Sequence, residues 1–165
     1  MNYIKITKCD IANGPGCRVT LWVSGCAHHC LHCHNQETWS LNSGTCFTIE
    51  TMDELLSCAS QSYISGLTFS GGDPLHPENY STVMMIAKIF KEKFPDKTIW
   101  LWTGYLWEEI KCLYGIENID VLIDGEYAES LKDLSLKWRG SSNQRVIDVK
   151  KSIESNDVIL YKEQQ

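Results

Sequence analysis

Basic residues are scarce in this chain: 15 lysines and arginines stand against 21 aspartates and glutamates, a formal charge of −6. Neutralising the phosphates of a nucleic acid or an anionic membrane takes a cationic surplus, so neither partner is expected. A protein or a small molecule is. No apolar run approaches the roughly 20 residues that cross a bilayer. The opening MNYIKITKCD has neither the basic and apolar regions of a signal peptide nor an Arg-rich amphipathic presequence, so a soluble, cytoplasmic protein is expected. No repeat of fixed period, low-complexity tract or Pro/Gly/Ser linker divides the chain. With 165 residues, 43% of them hydrophobic, one domain over 1–165 with a sizeable core is expected.

What is present is an alternation of strand and helix signals. RVTLWVS (18–24) is short, apolar and rich in β-branched and aromatic residues, and it ends at Gly25. GLTFS (66–70) is a second such run, closed by Gly71 and Gly72. KTIWLWT and IDVLID read as two more strands, with a short helical stretch, LWEEIKCLY, between them. Thr51 with Glu54 has the form of a capping box, and Met52, Leu55, Leu56 and Ala59 then share one helical face. From Pro77, the residues Val83, Ala87, Phe90 and Phe94 repeat at helical spacing until Pro95 stops them. The alternation predicts βαβ units with a parallel sheet, an α/β fold whose functional loops follow the carboxyl ends of the strands. Three unusual stretches lie at such ends: 26–35, 70–74 and 102–105.

The first of these, CAHHCLHCHN, holds three of the eight cysteines and four histidines. In a reducing compartment a dense cysteine cluster reads as metal-binding or catalytic, and the thiols are expected to be free or ligated. Cys26, Cys30 and Cys33 have the spacing C-x-x-x-C-x-x-C. Three readings compete. A structural zinc site would close its shell with four ligands, taking His28, His29, His32 or His34 as the fourth. Incidental buried thiols are the second reading, since free cysteine is commonly a small buried hydrophobe. The third is a four-iron, four-sulfur cluster with one iron left open, as reactive metal sites are. Cys58 and Cys112, inside helical stretches, read as packing residues, and Cys9, Cys17 and Cys46 as structural. SGGDP (70–74) alone would be a turn. At a strand end, its glycines let the backbone approach a ligand and offer its polar groups to an amine.

C-x-x-x-C-x-x-C after the first strand, followed by Gly-Gly-Asp at the next, resembles the radical S-adenosylmethionine enzymes. Within them, NGPGCRVTLWVSGCAHHCLHCHN, SGGDPLHPEN, IWLWTGY and WRGSSNQRVID, spanning Asn13 to Asp148, are most similar to the activating proteins of anaerobic ribonucleotide reductases. The resemblance implies an incomplete TIM-like βα barrel of the radical S-adenosylmethionine type with a mainly parallel sheet. At about 165 residues it would be open-sided, because a closed eight-unit barrel takes about 250. It implies one [4Fe-4S] cluster on Cys26, Cys30 and Cys33. S-adenosylmethionine would be held by Gly71, Gly72 and Asp73 at its amine and by His32, Cys33 and His34 near its adenine. Asp73 stands where the family more often has glutamate, and His34 reads equally as an exposed polar residue.

The implied reaction is one-electron reduction of the sulfonium, giving methionine and a 5'-deoxyadenosyl radical that takes a hydrogen atom from a glycine Cα of the reductase. No side-chain acid, base or nucleophile is required, because the cofactors carry the chemistry. The implied partners are the large subunit of the reductase and an electron donor such as flavodoxin. WRGSSNQR reads as a surface for the reductase or, more plainly, as a polar capping loop. Other readings are a radical S-adenosylmethionine enzyme with a different glycyl radical enzyme or a small molecule as substrate, and a zinc-binding interaction module without catalysis.

Overall fold

The structure, a computed structural model, describes residues 1–162, so the last three residues of the expected 1–165 domain lie outside it. The elements are β1 (Asn2–Asp10), β2 (Cys17–Val23), β3 (Thr45–Cys46), α1 (Ile49–Ala59), β4 (Ile64–Gly71), α2 (Pro77–Lys93), β5 (Thr98–Trp102), α3 (Trp107–Ile110), β6 (Val121–Asp124), β7 (Arg145–Asp148) and α4 (Val149–Ser155). They form a mixed α/β fold around one seven-stranded sheet of order β3-β1-β2-β4-β5-β6-β7, which does not close on itself. β2, β4, β5 and β6 run parallel. The flanks, β3 on β1, β1 on β2 and β7 on β6, are antiparallel.

Strand alternation sorts side chains onto two faces. Val19, Leu21, Leu67, Phe69, Ile99, Leu101 and Leu122 face a core that Leu55, Val83, Ile86 and Phe90 of the helices complete. Trp100, Val121 and Ile123 form a separate cluster, covered by Trp102, Trp138, Val146 and Tyr161. Arg18 is fully buried. Its guanidinium donates to Thr68 Oγ1 (2.8 Å), Leu67 O (2.8 Å), Thr98 O (2.8 Å) and Thr98 Oγ1 (3.0 Å), and its Cζ lies 5.6 Å from the Trp100 ring centroid. One cation thus ties β2, β4 and β5 together.

α2 begins and ends where the sequence predicts, with Pro77 in its first turn and Phe94 as its C-cap. α1 starts earlier than predicted. Thr48 is its N-cap and forms the capping box with Thr51, whereas Glu54 pairs with Lys8 Nζ at 3.0 Å. The helical stretch LWEEIKCLY contracts to a single turn, α3, which leaves Cys112 exposed beyond it rather than packed. Cys9 and Cys17 are not free thiols. β1 and β2 pair as a hairpin that brings their Cα atoms to 5.3 Å, and a disulfide joins them. Cys46 is exposed on β3, and Cys58 packs against the core. No helix among the described residues is long and apolar enough to cross a membrane.

Candidate functional site

The carboxyl ends of the parallel strands converge on one rim. β2 runs into Gly25, whose φ of +99° turns the chain out of the sheet. The N–H groups of Gly25 and Cys26 donate to Thr38 O (2.7 Å) and Trp39 O (3.0 Å), so the cysteine loop closes on its own return. From β4, Gly72 N donates to Val23 O and Asp73 N to Gly25 O, both at 2.8 Å. This crossing requires glycine. A Cβ at Gly72 would stand 2.5 Å from Gly25 O, and one at Gly71, where φ is +102°, would stand 2.7 Å from Val23 O. The need for glycine at both positions is therefore set by the neighbouring strand end, in addition to any need a ligand imposes.

The thiols of Cys26, Cys30 and Cys33 are free and half-buried. His29 (φ +49°) and His32 (φ +56°) each take the left-handed conformation one residue before a cysteine. Such turns present main-chain N–H groups inward, as anion and iron-sulfur sites require. The N–H groups of His28 and His29 face the Cys26 sulfur, that of Tyr127 faces Cys30, and Asn35 N donates to Cys33 Sγ at 3.4 Å. Burial pushes the Cys26 thiol up to about 11, against those N–H groups, and raises that of Cys30. Among the described residues, no three His, Cys, Asp or Glu side chains are gathered closely enough to hold a single metal ion. Soft thiols spread along a loop and faced by N–H donors fit a larger, anionic cluster.

His28 fastens this loop to the rim. One ring N–H donates to Asp73 Oδ2 at 2.7 Å and the other to Glu126 Oε1 at 2.8 Å. The hydrogen bond to Asp73 is the main cause that holds its pKa up to about 9, so the ring is a cation at neutral pH. Its edge meets Tyr105, with centroids 4.8 Å apart, and the bare backbone of Gly104 lies against it, where a Cβ would stand 2.5 Å from the ring. Asp73, 2% exposed, also accepts from Thr103 Oγ1 (2.9 Å), Gly104 N (3.0 Å) and Leu75 N (2.8 Å). The ends of β4 and β5 and the cysteine loop therefore meet at a single carboxylate. The other sequence candidates lie further out. His34 is exposed, and His32, also exposed, places Nδ1 3.6 Å from Glu129 Oε1.

A family model described as a 4Fe-4S single cluster domain matches residues 12–147. Relatives named anaerobic ribonucleoside-triphosphate reductase-activating protein match as well. The protein of phage T4 is 51% identical over 146 residues, covering 88% of this chain and 93% of its own length. That of Escherichia coli K12 is 44% identical over 150 residues, covering 88% and 97%. That of Vibrio cholerae is 46% identical over 148 residues, covering 87% and 96%. The chain belongs to this family of activating proteins.

Against that membership, the residues whose fastening role the sequence does not show are informative. His28 reads in the sequence as one more histidine in a cysteine cluster. Its partners lie 45 and 98 residues away, so nothing local marks it as a fastener. Thr103 and Gly104 fall in WTGY, which is unusual and sits at a strand end, the signal that could have found them. WRGSSNQR directs several of its polar groups inward. Gln144 Oε1 accepts from Gly140 N (2.9 Å), its Nε2 donates to Gly125 O (3.0 Å), and Arg139 donates to Gln144 O (2.7 Å).

Proposed function

We propose that this chain activates an anaerobic ribonucleotide reductase by generating a glycyl radical on it, as an oxidoreductase of the radical S-adenosylmethionine type. Cys26, Cys30 and Cys33 would hold three irons of one [4Fe-4S] cluster, and the fourth would be left for S-adenosylmethionine. When bound, that pair supplies an electron and a carbon-centred radical able to take hydrogen from a glycine Cα. The chain's own residues position and shield. The backbone of Gly71 and Gly72 would receive the methionyl amine, and His32, Cys33 and His34 would border the adenine. Asp73 would act there mainly by fixing the rim, because His28, Thr103, Gly104 and Leu75 already donate to its two oxygens. The open sheet serves as the incomplete barrel, whose unclosed side admits a glycine-bearing segment of the large subunit. A flavodoxin-like protein would supply the electron in the cytoplasm.

The observation that carries this reading is the set of three free thiols, each faced by a main-chain N–H, beside the Gly71-Gly72 crossing. The test is anaerobic incubation with reductant, S-adenosylmethionine and the reductase, followed by electron paramagnetic resonance. A glycyl radical is expected, with loss of both iron and radical on changing any of the three cysteines to serine. Protein carrying about four irons that neither cleaves S-adenosylmethionine nor yields the radical would overturn it.

A further inference from the structure

We infer that the Trp138–Gln144 loop is a positioning element for the cysteine loop, acting through the segment that follows β6. The inference rests on the reading that Cys26, Cys30 and Cys33 hold the cluster. Two sets of contacts meet on residues 125–131. On one side, Glu126 accepts from His28, the Tyr127 N–H faces the Cys30 sulfur, and Glu129 lies beside His32. On the other, Gln144 Nε2 donates to Gly125 O, Asn143 Nδ2 donates to Glu126 O at 2.8 Å, and Ala128 N donates to Ser141 Oγ at 3.1 Å. Ser142 N adds a bond to Leu131 O at 2.9 Å. Segment 125–131 is therefore a strap, held from behind by the polar loop and touching the cysteine loop at His28, Cys30 and His32.

The loop can hold the strap because it is itself fixed. Trp138 packs on Trp100 with centroids 4.8 Å apart and accepts from Trp102 Nε1 at 2.9 Å. Its motif is thereby explained as a hydrogen-bonded bracket: Gln144 both closes the loop on itself through Oε1 and reaches the strap through Nε2. A position set this way governs how the cysteines present their sulfurs before any cluster is bound.

Gln144→Glu keeps the acceptor for Gly140 N and removes the donor to Gly125 O. Asn143→Ala removes the second bond from an exposed site without adding charge. Hydrogen exchange is read on cluster-free, thiol-reduced protein. In each variant, exchange of residues 26–35 is expected to rise about fivefold for a bond lost, with β2, β4 and β5 unchanged. In cluster-loaded protein, anaerobic iron release to a chelator is expected to quicken in parallel. Exchange of 26–35 unchanged while 125–131 loosens would overturn the inference, as would an increase spread evenly over the sheet. Retention of iron by the cysteine-to-serine variants would sink the ligand assignment instead, and the exchange result would still stand on its own.

Discussion

His28→Ala should make the cluster-free protein's stability depend less on pH, in a direction fixed by the geometry. In the folded chain the imidazolium donates to Asp73 and Glu126 and holds its proton to about pH 9, whereas unfolded it would release it near 6.5. A group whose pKa is raised by folding stabilises most when protonated in both states. Its contribution is therefore fully present below about pH 6.5, declines above that, and is gone once the pH passes about 9. The difference in pKa corresponds to about 3 kcal/mol. The ring is 11% exposed, but Glu126 is 59% exposed and its share is screened, which brings the expected contribution to between about 2 and 3 kcal/mol. Urea unfolding of wild type and His28→Ala, both kept reduced, should give a gap that narrows by that amount between pH 6 and pH 10. Comparing the two at each pH cancels the titration of the cysteines they share. A remainder independent of pH is expected from the lost packing on Tyr105 and Gly104. A gap that stays constant, or widens as the pH rises, would refute the assignment of His28 as a charged fastener.

Three further outcomes follow from the packing. Gly72→Ala should destabilise the cluster-free protein by about 2 kcal/mol in urea unfolding, because its Cβ would meet the backbone oxygen of Gly25 at 2.5 Å. An unperturbed midpoint would show that the two strand ends separate more easily than the structure indicates. Cys9→Ser should cost about 2.5 kcal/mol under non-reducing conditions, from the loop closed between residues 8 positions apart, and nothing once reductant is added to both proteins. Arg18→Ala should cost roughly 3 to 5 kcal/mol in thermal or chemical unfolding, since it leaves Leu67 O and the Thr98 and Thr68 hydroxyls without their buried donor. A loss under 1 kcal/mol would show that water replaces the guanidinium at little cost.

The strands that build the rim were legible because each is a short apolar run ended by glycine or a turn, and burial on both faces leaves little room for ambiguity. β1 was not. NYIKITKCD is half-exposed through most of its length, so its side chains carry no clear period, and only its pairing with β2 makes it a strand. The start of α1 was less legible still. Thr48 and Thr51 compete for the capping role, and three residues separate the two solutions. The disulfide was invisible for a related reason: Cys9 and Cys17 are brought together by the hairpin register, and compartment arguments say nothing about register.

The candidate site divides along the same line. Its thiols are contiguous in sequence, so their spacing alone exposes them, and Gly71-Gly72 announces itself by composition. What holds these pieces together is dispersed over the chain: His28 on the first loop, Asp73 after β4, Thr103 and Gly104 after β5, Glu126 after β6 and Asn143 before β7. Nothing in the sequence around these residues marks them as partners of one another. A parallel sheet makes them neighbours by bringing every such loop to one rim, which is why topology had to be known before Asp73 could be read as a junction. The same reasoning gives the polar loop its place. A sequence reader sees its serines, asparagine and glutamine as groups free to meet a partner, while the structure turns Gln144 inward and Asn143 onto the strap. If the reductase does contact this loop, it presses on a bracket bonded to the strap that touches the cysteine loop, and docking and the geometry of the sulfurs become coupled through residues 125–131.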